Sequence, residues 1–419
     1  MFAEVIVRIG LNLQPGQRLL LAEPYDLQGV APSAAPLVSA VRQAAMKAGC
    51  PHPAAIETIW GNEFQLREFA ERKDWRGFSG LVAAHAAKMD RAVRNGDALL
   101  FLQGSQPALL AGIAPDRIAE LRRISWEHFG PIAQQLVLGA SNWTVAPAPS
   151  AAWANAAYDD LPESRRLPAL WDAVFSALRI PPAHATRAGP EAILSEGRLT
   201  RTSDHLAAWQ AHLAGLARRR DDLNGRHLTT LRFVGPGTDL RVALPVEHRW
   251  CTAQLTTQSG LPFVANLPTE EVFTAPHKDS ASGSVRVTRP VSYGGSLMAG
   301  IELEFSRGRV VQASARSGGA LLRRLLETDE GAVRLGEVAW VDQQPAWASA
   351  RPATGGPANH GAGPSTMRLF HHPLLDENAS HHIALGEAYG FCLQSPNPAA
   401  LNRSLVHVDL PLDATVQPA

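Results

Sequence analysis

The first half of the chain alternates short apolar runs with stretches of helical spacing, and this alternation constrains the fold more than any other feature. Arg18-Leu19-Leu20-Leu21-Ala22 reads as a buried strand, and Leu37, Val41, Ala44, Ala45 and Ala48 fall at helical spacing before a stop at Gly49. Ala54 to Trp60 and Ala98 to Leu102 read as further strands, and Asp116 to Trp126 as a helix behind the second of them. Strand followed by helix, repeated, predicts a parallel sheet covered by helices. Gly235-Pro236-Gly237 lacks the third glycine and the following helix of a dinucleotide fingerprint, so it reads as a turn.

Two amphipathic patterns follow, one through Leu167, Leu170, Trp171, Val174, Phe175 and Leu178, the other through Leu206, Trp209, Leu213 and Leu216. From about residue 226 the pattern turns to β-branched, alternating runs: Leu228 to Val234, Leu240 to Leu244, and Ile301 to Phe305 with Val310 to Ala315 across a Gly308-Arg309 turn. The expected fold is an α/β N-terminal domain with a parallel sheet, residues 1–225, plus an α+β C-terminal domain, residues 226–419. At 419 residues the length suits two domains. The Gly/Pro/Ala tract from Arg351 to Pro364 has no apolar periodicity and reads as a surface loop.

Thirty-nine basic side chains balance 39 acidic ones, with no block of like charge, which argues against a nucleic-acid partner. No window of about 18 residues is free of polar breaks, and the N-terminus lacks a basic stretch followed by an apolar run, so no membrane segment is expected and the location reads as cytoplasmic. Cys50, Cys251 and Cys392 stand far apart and odd in number, giving neither a disulfide framework nor a CxxC spacing. They read as small buried hydrophobes.

Groups with metal-ligand character concentrate in the last 150 or so residues. Glu270-Glu271 stands between two prolines; taken alone, the pair reads as turn residues. Glu337 lies inside the apolar run Leu335 to Val341, where a carboxylate is expensive without a cation, although alone it also fits the exposed side of an amphipathic strand. Asp376-Glu377-Asn378 leads to His381, His382 and Tyr389 in a helix-like stretch, where seven residues bring His382 and Tyr389 two turns apart into one site and send His381 elsewhere. His371, His372 and His381 read as ordinary surface or loop histidines. Last, alternation by two places His407 and Asp409 on one face of a strand, side by side as a borderline divalent cation requires.

These four segments, in this order, resemble the M29 family of metallo-aminopeptidases, the aminopeptidase T group. The matching strings are Pro268-Thr269-Glu270-Glu271-Val272-Phe273-Thr274, Leu335-Gly336-Glu337-Val338-Ala339, Asp376-Glu377-Asn378-Ala379 with His382 and Tyr389 at the family spacing, and His407-x-Asp409. Softer similarity covers most of the chain, including Leu13-Gln14-Pro15-Gly16-Gln17, Trp153-Ala154 and Leu223-Asn224. The resemblance implies a catalytic domain holding two divalent metal ions, Zn, Co or Mn, with Glu271, Glu337, His382, His407 and Asp409 as ligands. It further implies that Glu337 bridges the metals, that Tyr389 lines the site, and that the enzyme is a homodimer acting on peptide substrates. The Arg351–Pro364 tract and the ten residues left after Asp409 depart from the family pattern, which usually continues through a further β-hairpin.

Such a site hydrolyses a peptide without a covalent intermediate and selects substrates with a free α-amine, so the expected activity is removal of the N-terminal residue. Tyr389 would donate to the developing oxyanion, and Glu270 or Glu387 would shuttle a proton. The alternative is a mononuclear non-haem Fe(II) ring-cleaving dioxygenase of the hydroxypyridine type on a related fold, for which His382, His407 and Asp409 suffice. Glu271 and Glu337 separate the two readings, because a mononuclear iron site needs neither.

Overall fold

The structure is a computed structural model that describes the chain except residues 24–28, 63, 105, 107–108, 181–203, 294–295, 342–344, 350–367, 396 and 398. The tract expected to form a surface loop, Arg351 to Pro364, lies outside the described residues.

Strands β1 (Leu19–Ala22), β2 (Ile56–Thr58), β3 (Ala98–Gln103) and β4 (Trp143–Pro147) form a parallel sheet in the order β2-β1-β3-β4. Strands β1 and β3 are buried along their whole length, as continuous apolar runs in a sheet covered on both faces must be. Their alternate residues feed two cores. Leu19, Leu21, Leu100 and Leu102 pack with Val38 and Val41 of the helix Ala35–Lys47. Leu20, Leu99 and Phe101 pack with Phe78 and Val82 of Trp75–Arg94 and with Ile118 and Leu121 of Pro115–Val137.

The run from Ala54 to Trp60 is a shorter strand than its composition suggests: Pro53–Ala55 forms a 3₁₀ turn, Ile56–Thr58 pairs with β1, and beyond it Ile59 bonds the Leu21 carbonyl and Trp60 forms a single bridge with Val30. The helix expected to end near Trp126 continues to Val137 through Pro131, since its buried stripe also continues, through Phe129, Ile132 and Leu136. The two amphipathic helices are Glu163–Ala177 and Asp204–Gly225, and Trp209 of the second is fully buried with its indole N–H donated to the Leu178 carbonyl at 2.7 Å.

Antiparallel strands dominate the second half. Strands β5 (Thr230–Gly235) and β6 (Thr238–Ala243) form a hairpin whose turn, Pro236-Gly237, puts Gly237 at φ +78°. The short pair β7 (Gln254–Thr256) and β8 (Pro262–Val264) stands apart, and the chain from Ala265 to Leu267 then pairs with Val145, extending the parallel sheet. After β9 (Glu271–Thr274) come β10 (Ser282–Arg286), β11 (Val291–Tyr293), β12 (Ser296–Ser306) and β13 (Arg309–Ser317), followed by β14 (Leu335–Val341), β15 (His382–Gly386), β16 (His407–Pro411) and β17 (Thr415–Pro418). One sheet runs β11-β12-β10-β6-β5-β17, with β13 also on β12; the other runs β16-β15-β14-β9. The fold is thus an α/β region with a parallel sheet joined to a largely antiparallel α+β region. Among the described residues no helix is long and apolar enough to cross a membrane.

Candidate metal centre

Register makes the site. In the β16-β15-β14-β9 sheet, Asp409 faces Ala384 and Ala384 faces Glu337, while His407 faces Gly386, His382 faces Ala339, and Glu271 faces Val341. Directly paired residues share a face, so Glu271, Glu337, His382, His407 and Asp409 all project from the same side. The other side carries Val272, Val338, Ile383, Leu385, Val408 and Leu410, all members of one hydrophobic core. Burying that apolar face fixes the register, and the register delivers the five polar side chains to one place. Small residues at Ala339, Ala384 and Gly386 leave room between them.

A bulge helps to aim Glu337: the pairing slips between Leu335 and Glu337, at Gly336. A Cβ on Gly336 would lie 2.2 Å from the Glu387 carbonyl oxygen, which explains the glycine. Gly386 is equally constrained, with φ +106° and 1.9 Å from a built Cβ to the Val406 carbonyl oxygen. Gly386→Ala should therefore cost about 1–3 kcal/mol or more in unfolding free energy, read by urea denaturation, and should disturb His407 opposite it.

Glu337 presents its two oxygens to two histidines: Oε1 lies 3.5 Å from His382 Nε2 and Oε2 lies 3.8 Å from His407 Nε2. His382 Nε2 is also 3.1 Å from Glu271 Oε2 and 3.9 Å from Asp409 Oδ1, and His407 Nε2 is 3.5 Å from Asp409 Oδ1. Two candidate ligand triads result, Glu271-Glu337-His382 and Glu337-His407-Asp409, each with its potential donor atoms within 4.8 Å of one another and with Glu337 in common. His407 donates Nδ1–H to the Glu387 carbonyl at 2.8 Å, and His382 Nδ1 lies 3.4 Å from the Ser380 carbonyl, so both Nε2 atoms turn to the cluster.

Electrostatically the cluster is strained without a cation. Burial raises the Glu337 carboxyl and the nearby Glu271 charge adds to this, while its hydrogen bond with His382 works against both. Burial alone would lower His407, but its hydrogen bond to Asp409 and the charges of Asp409 and Glu337 prevail and raise it to about 9. His382 likewise rises well above the ordinary histidine value, its burial outweighed by Glu271 and Glu337. Glu271 Oε2 is buried beside His382 Nε2, 3.1 Å away. Four clustered carboxylates, counting Glu377 below, set against two imidazoles form a donor set suited to divalent cations.

Glu377 was not singled out as a ligand in the sequence. It is 8% exposed, shares a hydrogen bond with Asp409, and is raised well above the carboxylate range by burial and then by the charges of Asp409 and Glu271. Its neighbours explain the Asp-Glu-Asn string. Asp376 accepts from the Phe370 and His372 amides at 2.8 and 2.9 Å, and Asn378 bonds both Glu377 Oε1 at 3.2 Å and the Glu270 amide at 2.6 Å. The signal available was that string itself, whose central carboxylate had no other assigned use.

Other expectations change. The stretch after Asp376 is helical only over Pro373–Glu377; His382 opens β15 and Tyr389 lies in the loop before Gly390–Cys392, so the two meet through a strand and a turn rather than two helical turns. Ile383 and Leu385, needed on the opposite face of a sheet, decide this. His372 is fully buried, stacked 4.5 Å from Trp153 and lowered to about 4 by burial, not an ordinary loop histidine, and His371 is also buried. His381 accepts from the Val341 amide at 3.1 Å, on the far side from the cluster. Glu270 is held by Arg179 at 2.8 and 2.9 Å, and the Glu387 carboxylate by Arg403 and the Ser404 amide, both at 2.7 Å, so each is engaged in structure.

The cluster opens into a cavity of about 1130 Å³, lined on the catalytic side by Phe273, Tyr389 and Phe391 and on the side of the parallel sheet by Phe101, Trp126 and Phe129. Tyr389 stacks on Phe391 at 5.3 Å and lies 5.1 Å from the His407 ring.

Comparison with known proteins shows the family to which the chain belongs. The sequence profile described as thermophilic metalloprotease (M29) matches residues 1–188, 181–351 and 359–416. Aminopeptidase T of Thermus thermophilus is 36% identical over 413 residues, 97% of this chain and 90% of that protein, and aminopeptidase 2 of Geobacillus stearothermophilus is 33% identical over 418 residues with the same coverage. The solved structure of wild-type AmpT from Thermus thermophilus superposes with a TM-score of 0.78 at 33% identity, covering 99% of this chain and 96% of that one. With the family profile spanning nearly the whole length, the chain belongs to the M29 family of metalloproteases.

Proposed function

We propose that the protein is a dinuclear-metal aminopeptidase that removes the N-terminal residue from peptides with a free α-amine. The observation that carries this reading is the division of Glu337, one oxygen toward each histidine, at the junction of two ligand triads. Glu271, Glu337, His382, His407 and Asp409 would hold the ions, Zn, Co or Mn, with Glu377 as a further donor. Two divalent cations bound there supply Lewis acidity to the scissile carbonyl and to the hydrolytic water.

The protein's own groups do the rest. Phe391 and the His407 ring pack against Tyr389, whose phenol would donate to the oxyanion of the tetrahedral intermediate. The carboxylate-rich cluster attracts a free α-amine, whereas an acetylated one brings neither charge nor a basic lone pair. All these residues belong to 226–419, and 1–225 furnishes the opposing wall. We propose a cytoplasmic homodimer, the assembly to be read by sedimentation equilibrium.

The metal-loaded protein should release residues one at a time from unblocked peptides and should leave their N-acetylated forms intact. Product analysis by mass spectrometry reads the outcome, and internal cleavage of a blocked peptide would reject the exopeptidase reading.

A further inference from the structure

Glu271 is the first residue of β9, and β9 is the edge of its sheet. Strand β14 pairs with it on one side; on the other, among the described residues, it makes a single bridge, Phe273 with Cys251. Glu337 and His382 lie on strands paired on both sides. The sheet therefore fixes Glu271 less firmly than either of them, and the segment entering β9 has to supply the rest.

It does so through Glu270, which is gripped at its side chain and at its main chain. Arg179 Nη2 lies 2.9 and 2.8 Å from the two carboxylate oxygens of Glu270, whose side chain is 12% exposed. The Glu270 amide donates to Asn378 Oδ1 at 2.6 Å, and Asn378 Nδ2 donates to the Leu374 carbonyl at 2.8 Å and to Glu377 Oε1 at 3.2 Å. One residue upstream, His212 Nε2 lies 2.7 Å from the Thr269 carbonyl, and His212 Nδ1 lies 2.9 Å from Arg179 Nη2. A carbonyl only accepts and a guanidinium only donates, so His212 is a neutral imidazole with its proton on Nε2. Burial, and then the Arg179 charge, lower its pKa in keeping with this.

Arg179 is itself held in place. Its guanidinium carbon lies 5.1 Å from the centre of the Trp209 ring, Nη1 donates to the Ala177 carbonyl at 3.2 Å, and its backbone, just beyond the helix Glu163–Ala177, has φ +56°. Arg179, Trp209 and His212 come from the helices that end the 1–225 region, whereas Glu270 and Glu271 come from the sheet that carries the cluster. An apolar contact would join the two regions as well as a largely buried ion pair does. What the ion pair adds is direction, because it sets where the residue before Glu271 must lie.

We propose that Arg179 is a positioning residue that acts through Glu270 to hold Glu271 in the metal centre. The ion of the Glu271-Glu337-His382 triad then depends on a side chain of the 1–225 region, and the ion of the Glu337-His407-Asp409 triad does not. The inference rests on the dinuclear reading above.

The test titrates Zn²⁺ into the chelated protein in competition with a chelator and resolves the two binding steps, with Glu271→Gln marking the step that belongs to the Glu271 triad. Arg179→Met should weaken that step about ten- to a hundredfold and leave the other within about twofold, with unchanged circular dichroism. Because Arg179→Met leaves a carboxylate unpaired, Arg179→Met/Glu270→Gln is measured beside it and should show the same selective loss even where the single variant does not fold. Equal weakening of both steps, or no weakening in a folded variant, would overturn the assignment while leaving the dinuclear reading in place. A wild type that binds a single ion would remove that reading, and this inference with it.

Discussion

Glu337→Gln should bind fewer than two metal ions per chain and lose peptidase activity by at least about two orders of magnitude, while remaining folded. Glutamine matches glutamate in volume, and Glu337 packs in a sheet whose opposite face is a complete apolar core, so stability has little reason to fall. What is lost is the negative charge that lies within 4 Å of both imidazoles and belongs to both ligand triads. Elemental analysis of gently purified protein, combined with an unblocked-peptide assay and circular dichroism, reads all three quantities. A single metal in the wild type, unchanged in the variant and accompanied by oxygen-dependent activity, would instead favour the mononuclear iron alternative.

A second large effect is expected on metal affinity as a function of pH. In the metal-free protein His407 holds its proton up to about 9 and His382 well above the ordinary value, because the surrounding carboxylates outweigh their burial. A cation needs both imidazoles neutral, so binding near neutral pH must expel both protons. Each expelled proton weakens apparent affinity about tenfold per unit fall in pH, hence about a hundredfold per unit for the pair. Titration calorimetry in buffers of different ionisation enthalpy should show this proton release near pH 7. Binding without it would mean that the imidazoles are already neutral in the metal-free protein. The same shift has the opposite sign for the metal-free fold. A raised His407 stabilises that fold below its unfolded value of about 6.5, and the contribution is lost as pH rises through about 9. The chelated protein should therefore lose this part of its stability over the range in which metal binding tightens.

What the sequence could reveal was set by local rules. Period-two alternation put His407 and Asp409 on one face of a strand. Fully apolar runs at Leu19 to Ala22 and Ala98 to Leu102 required a sheet covered on both sides, and helical spacing supplied the cover. The order and spacing of four short strings carried the family, because that order survives differences in the loops between them. The same local rules misled where long-range packing prevails: the stretch holding His382 and Tyr389 has residues that suit helical spacing, yet Ile383 and Leu385 are needed in the core beneath a sheet.

Only the tertiary structure decided how residues far apart in sequence meet. Ala384 paired with Asp409 on one side and Glu337 on the other, which no local pattern encodes, turns separate carboxylates into one centre. Glu377 acquires its meaning from Asp409, and Glu270 and Glu387 are committed to Arg179 and Arg403 rather than left available as bases. The physical reason is the same in each case. Strand period and helix spacing depend on neighbours a few residues away, whereas register and burial of charge depend on which apolar faces bury one another, and that is settled across the whole chain.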